Sequence, residues 1–588
     1  MIPVIVILLY LCVVAYIGSV AFRRGKENTE DFFLAGRSIG PAVFFLSLFA
    51  TNMTAFAILG SSGAAYKQGI GIFGMMASSS GIVIPLTIFF IGTRIWSLGK
   101  KFGHMTQVQF FRDRWECSRV GTYLFFLSAA MLIPYMIISI IGGGQVLQDI
   151  SRSSADSAPL IPYWLGCLIV TIVVTVNVFF GGMRGVVWVN VFQTILFLLF
   201  GTVAFITIGR GLPGGLFDFV HNMAKDPVNG ALLSRERMPQ EVFWSYMFIP
   251  LSSIMFPHMS IMCLSAKKMS AFRQTVIIYP IAIMLIWLPC VFLGALGAQA
   301  IPGLKETDGV LLHLLSSYAP AWLAGLLGAG IISAVMGSDC HQVLALSTMF
   351  TKDIFSYYGG LEKYGEKGMV TFARGFVLVV TTIAYVIALM RPTSIFELAI
   401  RFAFSGFAAL APIMIAALFW KRSTKYGALA SALWVTVCIF GTWYLTAYSD
   451  SMAPKPPVRV ALSGKSKPAG VAGVSPVGIG EGKPPSASPL GEPEGKKPLV
   501  AGAKKGGKPG VAGGMFMPGG KGGKPVAPKP VQIFPSLGNM FLRSTQVTVY
   551  GYLPVVPMVL GSLLLMILVS LLTPPPSKET IEKYFPKG

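Results

Sequence analysis

About thirteen apolar stretches divide the chain, each long enough to cross the roughly 30 Å hydrocarbon of a bilayer as a helix of about 20 residues. They fall near 2–22, 41–66, 70–96, 121–141, 161–180, 187–209, 242–263, 276–300, 321–350, 370–389, 395–419, 427–446 and 553–572. In lipid every backbone N–H and C=O must be satisfied within the protein, so stretches of this length are expected to be helices. Composition agrees, since 54% hydrophobic and 12% charged residues over 588 positions exceed what one soluble core would use. The expectation is an all-α polytopic membrane protein.

Orientation follows from where Lys and Arg collect, because short cytoplasmic loops carry the excess. If the first span enters from outside, alternate loops hold Arg23, Arg24, Lys26 and Arg37; then Lys100, Lys101, Arg112 and Arg114; then Arg184; then Lys267, Lys268 and Arg273; then Lys352, Lys363 and Lys367; then Lys421, Arg422 and Lys425. Opposite loops are sparse or balanced, which predicts an outside N-terminus and a cytoplasmic C-terminus. The first stretch resembles the apolar part of a signal peptide, but no basic region precedes it and two arginines follow, so it is read as a retained span.

From about 451 to 532 the chain becomes a Gly/Pro/Ala/Lys mixture with too little apolar surface to offset the entropy of ordering. A disordered extracytoplasmic loop is expected there, a solvated tether or a basic arm toward anionic polymers or lipid heads. Its lysines supply much of the formal net charge of +23, so that charge does not point to nucleic acid.

Several classes drop out. The seven cysteines stand singly, with no Cys-x-x-Cys, and the five histidines form no zinc-type cluster. No Gly-x-x-x-x-Gly-Lys-Ser/Thr loop supports an ATP-driven pump. No enzyme is expected.

Inside the 321–350 stretch lies Gly337-Ser338-Asp339-Cys340-His341, and a carboxyl in hydrocarbon is costly unless solvated, paired or neutral. Asp339 has three readings: an ion ligand through a distorted turn, a proton-carrying group favoured by desolvation, or a structural acid paired with a neighbour. The 41–66 stretch carries Ala50-Thr51-Asn52-Met53-Thr54 near mid-depth, where local unwinding would free carbonyls for a cation or a polar solute. The 242–263 stretch carries Pro250 and Pro257, with Ser252, Ser253 and His258 able to re-satisfy a broken backbone. These two stretches stand five spans apart, the spacing of two inverted five-helix halves.

Phe32-Phe33-Leu34-Ala35-Gly36-Arg37-Ser38, Gly181-Gly182-Met183-Arg184-Gly185-Val186 with Trp188 and Gln193, Pro257-His258 with Ser265-Ala266-Lys267, Thr351-x-Asp353-Ile354-Phe355, and Ala411-Pro412 through Phe419-Trp420-Lys421-Arg422 with Gly427-Ala428 occur in order. Together they resemble the sodium/solute symporter family of proline, glucose, sialic acid and pantothenate transporters, over about 32–429. The resemblance implies a leucine-transporter-type core of two inverted five-span repeats. The segments are then 1–40, an extra helix and loop; 41–210 and 211–425, the repeats; 426–450, an added span; 451–545, the disordered loop; and 546–588, a last span and tail.

The resemblance also implies one sodium site, made by the carbonyls of Ala50, Met53 and Ala334 and the hydroxyl of Ser338. Its second hydroxyl position falls on Gly337, which has none. Asn52 and Asn190 stand where family members often carry aspartates, and Cys340 and His341 stand where a second sodium site would need serines. Asp339 points about 200° away from Gly337 on a regular helix, a poor direct replacement. Asn52, Thr54, Ser252, Ser253 and His258 are the expected solute-facing residues. The expected activity is sodium-coupled symport of a small polar organic solute by alternating access, with proton coupling through Asp339 or a non-transporting solute sensor as alternatives.

Overall fold

The computed structural model describes residues 2–23, 28–152, 158–390, 399–452, 531–543 and 547–586. The chain divides into a unit of residues 1–452 and 524–588 and a second unit, 453–523. The second unit lies outside the described residues, and with it most of the segment expected to be disordered.

The described chain is mostly helical. Eight helical runs are long and apolar enough to cross a membrane, and two bent pairs bring the number to ten. Two runs exceed one crossing and change direction inside. Tyr163–Gly211 is 49 residues, about 74 Å if straight, where the sequence predicted separate spans at 161–180 and 187–209. It turns at Gly182, whose φ of 50° lies in the left-handed region and whose missing Cβ would stand 2.8 Å from the Phe32 carbonyl oxygen. The run from Ala321 to Leu389 likewise leaves helical geometry at Tyr358, Gly359 and Gly365.

The two stretches expected to unwind, 41–66 and 242–263, are both broken, whereas Ser118–Ile150 and Ser270–Ala300 stay helical through interior prolines at 134, 280 and 289. Pro41–Asn52 ends where Met53 turns extended (φ −91°, ψ 103°), and the chain resumes at a 60° angle through Phe56–Gly60 and Ser61–Gln68. Gln240–Ser245, Tyr246–Leu251 and Ser252–Met255 lead to Phe256, also extended, after which Pro257–Leu264 departs at 51°. Proline at the first helical position costs nothing there, because that N–H would have no helical partner.

Lys425–Met452 packs on Val555–Leu572, joined by Ser431 and Ser562 hydroxyls 2.6 Å apart and by Trp434 donating to the Met558 carbonyl at 3.2 Å. Small hydroxyl residues let apolar helices approach closely and bond across the interface. Three short strands, Val531–Gln532, Phe541–Arg543 and Val547–Val549, form an antiparallel sheet. This corrects the expected end of the structureless loop at 545: Val531, Phe541, Val547 and Val549 follow the glycine-rich part with β-favouring side chains that can pair.

Candidate functional site

The first helix break is held by its own side chains. Met53 N–H reaches back to the Phe49 and Ala50 carbonyls, at 3.0 and 3.1 Å. Thr51 Oγ1 donates to the Ser47 carbonyl at 2.7 Å, and Thr54 Oγ1 accepts the Phe56 N–H at 3.2 Å, capping the second half. The Ala50 carbonyl keeps a lone pair, as each carbonyl oxygen has two.

The second break is held both by its own segment and from outside it. Gln107, in the short helix Gln107–Arg114, donates to the Met255 carbonyl at 3.0 Å, and the single proton of Ser260 Oγ is shared between Gln107 Oε1 at 2.9 Å and the Ile254 carbonyl at 2.8 Å. An unwound backbone at this depth survives only when such partners exist.

The Ala321–Met349 helix passes beside the first break with its polar residues wholly buried. A Cβ on Gly337 would lie 3.0 Å from Gln193 Oε1, 3.2 Å from Asn190 Oδ1 and 3.6 Å from the Ala50 Cβ. Ala50, Gly337 and the two amides of the Tyr163–Gly211 helix therefore meet at one place. Gln193 Nε2 donates to the Tyr10 hydroxyl at 2.9 Å, and Asn190 Nδ2 contacts His341 Nδ1 at 2.7 Å and Thr51 Oγ1 at 3.4 Å. With both amide nitrogens engaged, both amide oxygens face the bare Gly337, buried and without a partner among the described residues. Two buried acceptors without donors are a place for a cation or a water.

Ser338 is buried beside this point and its Oγ accepts from Gln342 Nε2 at 2.7 Å; Ala334 is also buried. His341 Nε2 lies 3.5 Å from Ser47 Oγ. Asp339 is 1% exposed, and its Oδ1 has no partner among the described residues. The reading of Asp339 as a paired structural acid has no support in this geometry.

The expected solute-facing residues scatter in role. Asn52 donates to the Tyr279 hydroxyl, Thr54 caps the broken helix, and Ser253 bonds Thr87 at 3.1 Å, so these three are engaged within the protein. Ser252 is buried near the second break. His258 is the exception, buried with both ring nitrogens unpartnered among the described residues. It stacks on Phe256 at 5.0 Å, with Tyr135 at 5.9 Å, and Tyr135 stacks on Phe256 at 5.1 Å. Phe404 meets both Tyr135 and Phe256, and Phe56 meets Phe404 at 4.8 Å. This aromatic wall joins the two breaks, and neither Tyr135 nor Phe404 was singled out from sequence; a tyrosine beside Pro134 in an apolar run was the available signal for Tyr135.

Comparison with known proteins follows the same lines. A profile of the sodium:solute symporter family matches residues 32–435. The sodium/pantothenate symporter of Haemophilus influenzae is 27% identical over 444 residues, covering 73% of this chain and 87% of the relative. The sodium/proline symporter of Escherichia coli is 26% identical over 464 residues, covering 72% and 84%. The solved outward-open structure of a Na+-coupled sialic acid symporter superposes with a TM-score of 0.62 at 16% identity, over 75% of this chain and 91% of that one, which shows a shared fold. With two broken apolar helices flanking a buried polar cluster, and a profile match over more than half its length, the chain belongs to the sodium:solute symporter family.

Proposed function

We propose that the protein couples entry of sodium to uptake of a small polar organic solute by alternating access; the relatives it resembles are named sodium/pantothenate and sodium/proline symporters. The observation that carries this reading is the meeting of the first helix break with Gly337 and two unpartnered amide oxygens. Sodium is a hard cation that favours several oxygen ligands. The carbonyls of Ala50, Met53 and Ala334 and the hydroxyl of Ser338 are the proposed cage, and Asn190 and Gln193 supply oxygen on the side where Gly337 lacks a hydroxyl. The solute lies against the aromatic wall, with His258 and Tyr135 as its polar contacts.

In this reading the chain crosses the membrane thirteen times: ten spans, one more from each of the two runs that turn, and the shorter Ser405–Phe419 helix. The N-terminus is outside and the C-terminus cytoplasmic, following the distribution of Lys and Arg. Residues 41–210 and 211–425 are the two inverted repeats, each beginning with a broken helix.

Sodium itself is the first probe. Raising sodium chloride in place of potassium or choline chloride is expected to raise the melting temperature of the purified protein by mass action, and Ser338→Ala to remove most of that rise. Tracer uptake of pantothenate and of proline into proteoliposomes follows. A sodium-indifferent melting temperature together with gradient-indifferent uptake would sink the proposal. A second reading, proton coupling, is favoured by the buried and unpartnered Asp339 Oδ1; it requires uptake driven by a pH gradient that Asp339→Asn abolishes.

A further inference from the structure

The segment 103–117 between two apolar helices gathers contacts from the ends of several others. Arg37 donates to the His104 carbonyl at 2.9 Å. Thr106 Oγ1 donates to Asp353 Oδ1 at 2.8 Å and Arg112 to the Asp353 carbonyl at 3.0 Å, both at the far end of the acid-bearing helix. Arg114, wholly buried, donates to the Ala417 carbonyl at 3.0 Å and to Ser423 Oγ at 3.1 Å. Gln107 holds the second helix break. One connector thus ties down four parts of the core.

The Lys578–Tyr584 helix grips that connector from its outer side. Ser577 caps it by accepting the Thr580 N–H at 3.1 Å. Lys583 Nζ reaches both oxygens of Asp113, at 2.7 and 2.8 Å, and the Tyr584 hydroxyl donates to Asp113 at 2.5 Å. Thr580 and Ser577 both donate to Glu116. Tyr584, 3% exposed, packs its ring 5.2 Å from Phe102 and 5.8 Å from Phe110, and Phe585 lies under the guanidinium of Arg114 at 5.2 Å. Beside it a cavity of about 790 Å³, lined by Arg112, Asp113, Lys352 and Lys583 among others, leaves one side of the connector unfilled.

We propose that the Lys578–Tyr584 helix is a latch: docked on Asp113, Glu116 and Phe110, it holds the 103–117 connector against the ends of the transport helices and opposes opening on that side. This rests on the alternating-access reading above, since a latch matters only if that side opens. Undocking would free the connector, and with it Gln107, the side-chain clasp across the second helix break. The docking is a set of charge-assisted bonds plus two buried aromatic rings, strong enough to bias an equilibrium and weak enough to release.

Hydrogen exchange on the purified full-length protein tests this without solute or ion gradient, so its result stands apart from that of the transport assays. Ending the chain before Ser577, or changing Lys583→Glu, is expected to speed exchange in 103–117 about tenfold, equivalent to about 1.4 kcal/mol of docking. Lys578→Ala, on the exposed side of the same helix, is the control and leaves exchange unchanged. An increase in 103–117 together with the second helix break at 252–264, which Gln107 clasps, supports the latch. No increase, or an equal increase in the 425–452 and 555–572 helices, overturns it.

Discussion

The two broken helices differ in who holds them. The break at Met53 is capped by Thr54 of the same segment, whereas the break at Phe256 is spanned by Ser260 of its own segment and also clasped by Gln107, about 150 positions earlier in the chain. A break satisfied locally can leave carbonyl lone pairs free for a ligand while its neighbours stay put. A break clasped from elsewhere is mechanically tied to whatever moves the clasp. In the proposed reading the first break serves the ion, and the second transmits movement between the break and the connector.

The largest effect should come from breaking the clasp. Gln107→Leu leaves the Met255 carbonyl without its side-chain donor in a buried place, at about 1–3 kcal/mol for an unsatisfied group, while Ser260 keeps its bond to the Ile254 carbonyl. A melting temperature several degrees lower, measured in detergent, is the expected outcome; no change would mean that the second break needs no outside support.

Ser338→Ala sharpens the ion side of the contrast. Loss of one oxygen ligand is expected to raise the sodium concentration for half-maximal stabilisation about tenfold, about 1.4 kcal/mol, with little change in melting temperature in sodium-free buffer. A wild-type sodium response would remove Ser338 from the cage.

Thr54→Val tests the local break. Losing a cap costs about 1 kcal/mol, and faster hydrogen exchange should be confined to 53–60. A loss as large and as widespread as that of Gln107→Leu would erase the distinction between the two breaks.

The smallest effect is on pH. His104 Nε2 lies 3.1 Å from Asp113 Oδ2. Burial holds the His104 imidazole below its ordinary value, with Lys583 and Arg37 adding to that and Asp113 opposing it. Burial raises the Asp113 carboxyl, but Lys583 and Tyr584 outweigh it and leave Asp113 below the ordinary carboxylate value. Both depressed groups bind protons less readily when the connector is packed, so their stabilisation is present above their ordinary values and lost as pH falls. Of the other acids at the latch, Glu116 is engaged by Thr580, and Glu579 and Glu582 of the latch helix are exposed. Exchange in 103–117, divided by the intrinsic rate of unprotected amides at each pH, should rise modestly on acidification below about pH 6.5 and further below about pH 4; a rise of that normalised rate at alkaline pH instead would reverse the sign.

The helix breaks were legible in the chain because their causes are local. Pro257 has no N–H, and a run such as Thr51-Asn52-Met53-Thr54 carries its own substitutes for helical bonds. Gly337 was legible too, as a missing hydroxyl against a family pattern. Its partners were not: that Asn190 and Gln193 turn their oxygens toward it depends on Tyr10 and His341 holding their nitrogens. Of the five residues expected to face a solute, Asn52, Thr54 and Ser253 are engaged within the protein, because a polar side chain in an apolar span serves backbone and solute equally well as far as sequence tells. The strands at 531–549 followed a segment whose composition masked them.

Apolar length, the rarity of interior charge and the positions of proline and glycine determined by themselves that this chain is a many-span helical membrane protein with two interrupted helices. Those properties act within one or two helical turns, and so they are written along the chain. Only the tertiary structure decided that Ala50, Gly337, Asn190 and Gln193 share one place, that Gln107 clasps the second break, and that Asp113 meets Lys583 from 470 positions away. Contacts of that separation obey no periodicity; they arise from how the helices pack, where each buried polar group must find its partner.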